Sequence, residues 1–271
     1  MGVPKHNFKS FGANKYVTWE FIQQHPEIPW NYRDISMNRN ITWEIVSANP
    51  DKPWDYRELS LNRNITWEIV LAHPDKPWYY SYLSLNPNIT WEIILANPDK
   101  PWEYYMFTGN KNVTWAIIEA NPDKNWGFDG YYLPQNKIIT WEIVSANPDK
   151  PWAYDMLSRN RNITWEIVQA NLDKPWDFKQ LSLNRNITWA IVQQNPDKPW
   201  SYKNLSMNRN ITWEIIEANP DKKWSYDMFS MNPNITLEIV LSNLDKDWSW
   251  SYLFYTKPWA FSLMSLETSN E

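Results

Sequence analysis

Acid–base or metal chemistry in this sequence would have to draw on three histidines and 31 carboxylates, because there is no cysteine. The missing thiols remove disulfides, thiolate metal ligands and thiol nucleophiles together. His25 and His73 each precede a proline, in a slot that Asn fills in other copies of the same phrase, so they read as helix-ending residues. His6 stands alone near the N-terminus. No HExxH, GKS or GKT, GxGxxG or GxSxG occurs in the chain, which leaves the zinc-protease, phosphate-loop, dinucleotide and nucleophile-elbow chemistries without their residues. We expect no catalytic residue, no cofactor and no metal.

What the sequence offers instead are rows. Asn38, Asn62, Asn86, Asn110, Asn136, Asn160, Asn184, Asn208 and Asn232 hold one slot, and a ladder of side-chain amides joining successive loops is the expected use. The next slot holds Arg39, Arg63, Arg161, Arg185 and Arg209, with Lys111 and Lys137 as substitutes and Pro87 and Pro233 as gaps. That row would present a basic edge, read first as a solvated face and alternatively as a polyanion site. A second cationic row, such as Lys52, Lys76 and Lys100, follows Asp each time and is half neutralised. Eight copies of NIT or NVT, at Asn40, Asn64, Asn88, Asn112, Asn162, Asn186, Asn210 and Asn234, match the N-glycosylation pattern. The opening MGVPKHNFKS has no apolar run of a signal peptide, so we read these Asn as part of the chemistry that opens each helix. An intracellular, non-secreted protein is expected, with no membrane span.

These rows share a period. The Thr of ITW recurs at Thr18, Thr42, Thr66, Thr90, Thr114, Thr140, Thr164, Thr188, Thr212 and Thr236, a step of 24 residues except for one of 26 before Thr140. A period of this size along a whole chain marks a solenoid, whose units contact mainly their neighbours. Of the 21 tryptophans, nineteen fall in two slots of the repeat and are architectural. The net charge of −5 and pI near 5.4 exclude a surface built throughout for nucleic acid.

In Ile41 to Asn64, Thr42 is the expected N-cap of a first helix, and Glu44 faces the positive end of its dipole. Ile41 and Val46 have the spacing of a hydrophobic staple. Asn49 before Pro50 ends the helix, with Asn suited to a left-handed terminal position. Asp51 is the expected second N-cap, with Pro53 in the first turn and Trp54, Tyr56 and Leu59 as apolar positions. The unit is then a helical hairpin too short to stand alone, held by two Trp packing on neighbouring copies.

The fold expected is an all-α solenoid of about ten two-helix repeats over residues 17–258. A half-repeat at 1–16, with Phe8 on Tyr56 and Phe11 on Leu59, caps one end, and 259–271 forms a cap and tail at the other. The fifth repeat, 113–138, is two residues longer and carries Gly127, Gly130 and Pro134 where the second helix should run, so a broken helix and a kink are expected there.

A binding solenoid keeps its core constant and varies the face that meets a partner. The most variable positions follow the second Trp, and they gather Tyr79, Tyr82, Tyr105, Met106, Phe128, Tyr131 and Tyr132 in repeats three to five. Tyr and Met are favoured at interface centres, so these seven are candidate partner-binding residues; filling wider gaps in the core is the competing use. As whole phrases, ITWEIV, ANPDKPW and LSLNRN resemble the tryptophan-rich short repeats of giant DNA viruses of amoebae, of the mimivirus and marseillevirus groups. The resemblance implies a viral origin and an intracellular or virion setting, and brings no catalytic residues. A scaffold for a protein partner is the leading expectation. A nucleic-acid-binding array on the Arg row, a virion component, and end-to-end self-association are the others.

Overall fold

The computed structural model describes residues 12–257 and 259, and these fold as an all-α array of twenty short helices in regularly spaced pairs. Two compact bodies are present, one drawn from residues 1–126 and 250–271, the other from 127–249. Both are built from the same hairpin.

The first helix of the repeat runs Trp43–Ala48, after Thr42 in extended conformation. Ile41 and Val46 are both buried, as the staple requires. In some copies the Thr hydroxyl accepts from the third helical N–H, as Thr18 does from Phe21 at 3.2 Å. In others the hydroxyl bonds the Glu of the first turn, and Thr42 thereby holds the Glu44 carboxyl below its ordinary pKa.

The end of this helix differs from expectation. Asn49 is not left-handed but sits at φ −130° and ψ 60°, and no non-glycine residue described has positive φ. Its side chain does the capping, Nδ2 donating to Ile45 O at 2.8 Å. That bond satisfies a carbonyl the helix end leaves free, so no left-handed residue is needed.

The second N-cap also moves. Asn49 to Lys52 form a turn closed by Lys52 N to Asn49 O, and exposed Asp51 pairs with Lys52 Nζ at 2.9 Å. The helix begins four residues later at Tyr56, where Asp55 Oδ1 accepts from Arg57 N and Glu58 N. Trp54 therefore lies in the link between the helices, its indole N–H donating to Asn49 O at 2.8 Å. That placement frees the ring to pack sideways.

It packs into the preceding repeat. Trp54 stands 5.6 Å from Trp19 and 5.3 Å, edge-on, from Tyr32, and Trp78 makes the same pair of contacts to Trp43 and Tyr56. In the second body Trp176 meets Trp141 and Tyr154 the same way, and Trp200 meets Trp165 and Phe178. Aromatic pairs at these separations contribute about 0.5–1.5 kcal/mol beyond the area they bury. The stack thus supports helices that would be marginal alone.

Two polar ladders run beside the aromatic one. Buried Asn62 donates from Nδ2 to Ser36 O, Asn38 O and Ile41 O, and its Oδ1 accepts from Asn64 N. The amides of this row join successive loops as expected, and they do so by bonding to backbone carbonyls of the preceding repeat. Asn64 adds Nδ2 bonds to Arg39 O and Ile41 O, so the glycosylation-type asparagines are engaged with the preceding repeat. The second ladder is serine: Ser60 Oγ donates to Tyr56 O and accepts from Tyr79 N of the next repeat.

At the N-terminal side, Asn38 Nδ2 donates to Gly12 O, Asn14 O and Val17 O, so the described part of the half-repeat takes the place of a full one. A Cβ at Gly12 would come within 2.9 Å of Ile35 Cγ1, which is why glycine stands there. Phe8 and Phe11, and most of the 259–271 cap, lie outside the described residues. In the irregular repeat the second helix is Tyr132–Gln135, no shorter than Tyr154–Leu157 or Phe178–Leu181, but it is preceded by an extra turn with Gly127 at φ 63° and Gly130 N bonded to Gly127 O. Pro134 is tolerated because it falls in the first turn, where its missing N–H has no partner to lose.

Candidate functional site

Among the most variable slots is the one that caps the start of the second helix. Asn31, Asp55, Asp177, Ser201 and Ser225 all accept a backbone N–H there from their own helix. Tyr79 and Glu103 in the first body and Ala153 in the second occupy the same position and make no such bond. Removing a good N-cap costs about 1 kcal/mol, so Tyr79 stands where the local rule favours another residue.

Around Tyr79 the side chains form an ordered group. Arg57, from the preceding repeat, lays its guanidinium 5.2 Å from the Tyr79 ring centre and 5.7 Å from that of Tyr82. The two rings meet edge-on at 6.4 Å. A cation over a tyrosine face contributes about 0.5–1 kcal/mol at an exposed site, and the guanidinium edge stays open to solvent. Tyr79 is 41 % exposed and Tyr105 is 40 % exposed, while Tyr82 is half-buried.

Beneath this group lies a buried carboxylate. Glu58 Oε1 accepts from Arg33 Nε at 2.8 Å, with the Glu58 side chain 4 % exposed and that of Arg33 60 %. The carboxylate raises the Arg33 pKa through its hydrogen bond. Sequence reading found neither this pair nor the Arg57 stack, because each joins positions 22–25 residues apart whose contact depends on how adjacent second helices lie side by side.

Of the seven residues singled out by variability, two belong to the packing instead. Met106 is buried, since Tyr104–Phe107 is a single turn that directs Met106 and Phe107 inward. Phe128 takes the core slot of Tyr56, half-buried with its ring edge-on to Trp152 at 5.1 Å. Tyr131, 54 % exposed, and half-buried Tyr132 pack on one another in the second body. Tyr79, Tyr82 and Tyr105 share the first body.

Arg39, Arg63, Arg161, Arg185 and Arg209 are all exposed, and none makes a side-chain ion pair or hydrogen bond among the described residues. Their backbones are held firmly, with Arg39 O and Arg63 O accepting from Asn64 and Asn88. The lysine row behaves differently, each ammonium pairing with its neighbouring Asp, at 2.9 Å for Asp51–Lys52 and 3.7 Å for Asp149–Lys150. Exposed pairs of this kind add little stability, but they cancel the charge.

The histidines end helices. His25 and His73 follow Trp19–Gln24 and Trp67–Ala72. His73 Nε2 also accepts from Trp43 Nε1 at 3.0 Å. Among the described residues no three His, Asp or Glu gather in a way that could hold a metal ion, and no helix is long and apolar enough to cross a membrane. No protein-family model, curated protein or solved structure matches the chain.

Proposed function

We propose that the chain is a non-enzymatic scaffold that binds a protein partner through the second-helix face of the first body, centred on Arg57, Tyr79, Tyr82 and Tyr105. The observation that carries this reading is Tyr79. It gives up a helix cap that Asp or Ser supplies elsewhere, and presents with Tyr82 a ring surface under an arginine with no carboxylate partner. Glu103 and Ala153 leave the same cap unmade, but Tyr79 alone of the three puts a ring under an arginine there; a local preference set aside in this way points to function, and rigid Tyr and Arg are the side chains interfaces favour.

A viral origin among the tryptophan-rich repeat proteins of giant amoebal viruses belongs to the same proposal, supported by the phrases ITWEIV and ANPDKPW. It would place the partner inside an infected cell or in the virion. The test is quantitative capture from such extracts with the wild-type chain, a Tyr82→Ala plus Tyr105→Ala variant, and a Lys179→Ala plus Lys203→Ala variant as control. Proteins retained by the wild type and control should be lost from the tyrosine variant. Equal retention by all three would refute the assignment.

The free arginine row favours a second reading, binding of nucleic acid. Binding through phosphates would weaken steeply as salt rises, and a salt-independent signal would exclude it. The exposed glutamates of the first helices, Glu44, Glu68 and Glu92 among them, together with the net charge of −5, weigh against it.

A further inference from the structure

Beside the Arg33–Glu58 pair a cleft of about 300 Å³ opens, lined by Met37, Arg39, Glu58, Leu61, Arg63 and Pro87, with Asn62 beneath. It brings two members of the arginine row onto the same surface as the second helix. Glu58, the one carboxylate lining it, is engaged by Arg33. Asp34, close enough to sense both charges, is itself half-buried, and burial raises its pKa. The cleft therefore offers two guanidiniums without partners, one compensated carboxylate, and apolar walls in Met37, Leu61 and Pro87.

We propose that this cleft binds an acidic, partly apolar segment of the partner protein, in extended conformation, with two carboxylates on Arg39 and Arg63 and an apolar side chain against Met37 and Leu61. The inference rests on the scaffold reading above and supplies the partner's chemistry. Arginine forks pair carboxylates bidentately, and both arginine backbones are pinned by the Asn ladder, so little order need be created on binding.

Spacing fits the same occupant. Helices of neighbouring units pack roughly 8–10 Å apart, while same-face side chains of an extended chain lie about 7 Å apart. Acidic residues two positions apart can thus reach successive arginines. A nucleic acid fits less well. Pro87 stops the cationic row after Lys15, Arg39 and Arg63, no aromatic ring lines the cleft for a base to stack on, and the walls are apolar.

The experiment is fluorescence anisotropy on the full chain. One labelled decapeptide carries Glu-Ser-Glu flanked by Leu and Met, a second carries Gln-Ser-Gln in the same frame, and the third probe is a single-stranded oligonucleotide. The acidic peptide should bind at least tenfold tighter than its amide counterpart. Arg39→Ser plus Arg63→Ser should weaken it at least tenfold, and Arg161→Ser plus Arg185→Ser, the same slots in the second body, should leave it within twofold. Arg39→Lys plus Arg63→Lys should fall between, since charge remains and the fork does not. Circular dichroism checks that each variant is folded, which is expected because the arginines support no packing.

Equal binding of acidic and amide peptides, no peptide binding, no effect of Arg39→Ser plus Arg63→Ser, or preference for the oligonucleotide would each overturn the proposal. If it falls while capture still depends on Tyr82 and Tyr105, the cleft alone is wrong. If both are lost, the scaffold reading goes with it.

Discussion

The second helices of the two bodies are held by the same frame and present different faces. In the first body successive exposed positions are Arg33, Arg57 and Tyr105, with Ser81 half-buried between them. In the second the same slots hold Asp155, Lys179, Lys203 and Asp227. Behind both faces run one Trp stack, one Asn ladder and one Ser ladder, as Ser60 to Tyr79 and Ser158 to Asp177 illustrate. What the difference teaches is that the face is free to vary, because the Trp, Asn and Ser contacts join one repeat to the next in both bodies, and the Arg33–Glu58 pair and the Arg57 stack are added to them in the first. Specific function can then be placed on one body without disturbing the other.

The strongest way to break this comparison is to strike the shared frame in both bodies. Trp54→Ala and Trp176→Ala each remove a ring wedged between an aromatic pair of the preceding repeat, together with an indole bond to a helix-end carbonyl. Each should lower stability by about 3–5 kcal/mol, measured by denaturant unfolding. A loss in one body several-fold smaller than in the other would show that the frames are not equivalent. Next in size is the ladder. Asn62→Ala and Asn184→Ala each leave carbonyls of the preceding repeat without the amide that serves them, at about 1–3 kcal/mol, and the two values should again agree.

Much of this frame was legible in the sequence, and the reason is repetition. A slot that is Trp or Asn in nearly every copy must serve the contact between copies, so the period, the all-α hairpin and the importance of the Asn row followed from spelling alone. What was not legible is where two acceptable answers compete locally. Asp51 and Asp55 both look like N-caps, and only the packing of Trp54 between them selects the later one. The serine ladder was visible as a residue recurring in LSLN, replaced by Thr108 and Pro134 in two of the repeats, but its use was missed, because Ser60 acts on a backbone N–H nineteen residues away. The site was less legible still. Variability gathered Met106 with Tyr105, though one faces inward and the other outward, and the Arg57 stack joins repeats.

One position in the second body sharpens the comparison from the other side. Glu58 and Gln180 fill equivalent slots, but Glu58 has Arg33, whereas Gln180 Oε1 is buried with no hydrogen-bond partner. Met156 and Met228 occupy this slot elsewhere in the same body. Gln180→Met should therefore stabilise the chain by about 1–2 kcal/mol, by removing an acceptor that folding leaves unsatisfied. Glu58→Met should destabilise it instead, because Arg33 loses its partner. Opposite signs at one slot would show that the first body uses it for a charge pair and the second does not. Equal signs in thermal or denaturant unfolding would erase that distinction.

The smallest expected change in stability is the most informative about function. Tyr79→Asp would restore to the first body the cap that Asp177 provides in the second, where its Oδ1 accepts from Lys179 N and Gln180 N. It should stabilise the chain by about 0.5–1 kcal/mol, less whatever the Arg57 stack contributes. An aspartate beside Arg57 would also give that arginine the carboxylate it lacks, closing the guanidinium edge a partner would use. Stability and binding should then move in opposite directions: denaturant midpoints rise while capture of the partner falls. A protein that keeps an uncapped helix in order to display a ring must behave this way. If Tyr79→Asp instead destabilises the fold, the tyrosine belongs to the frame, and the division between a constant frame and a free face fails at the residue on which the functional reading depends.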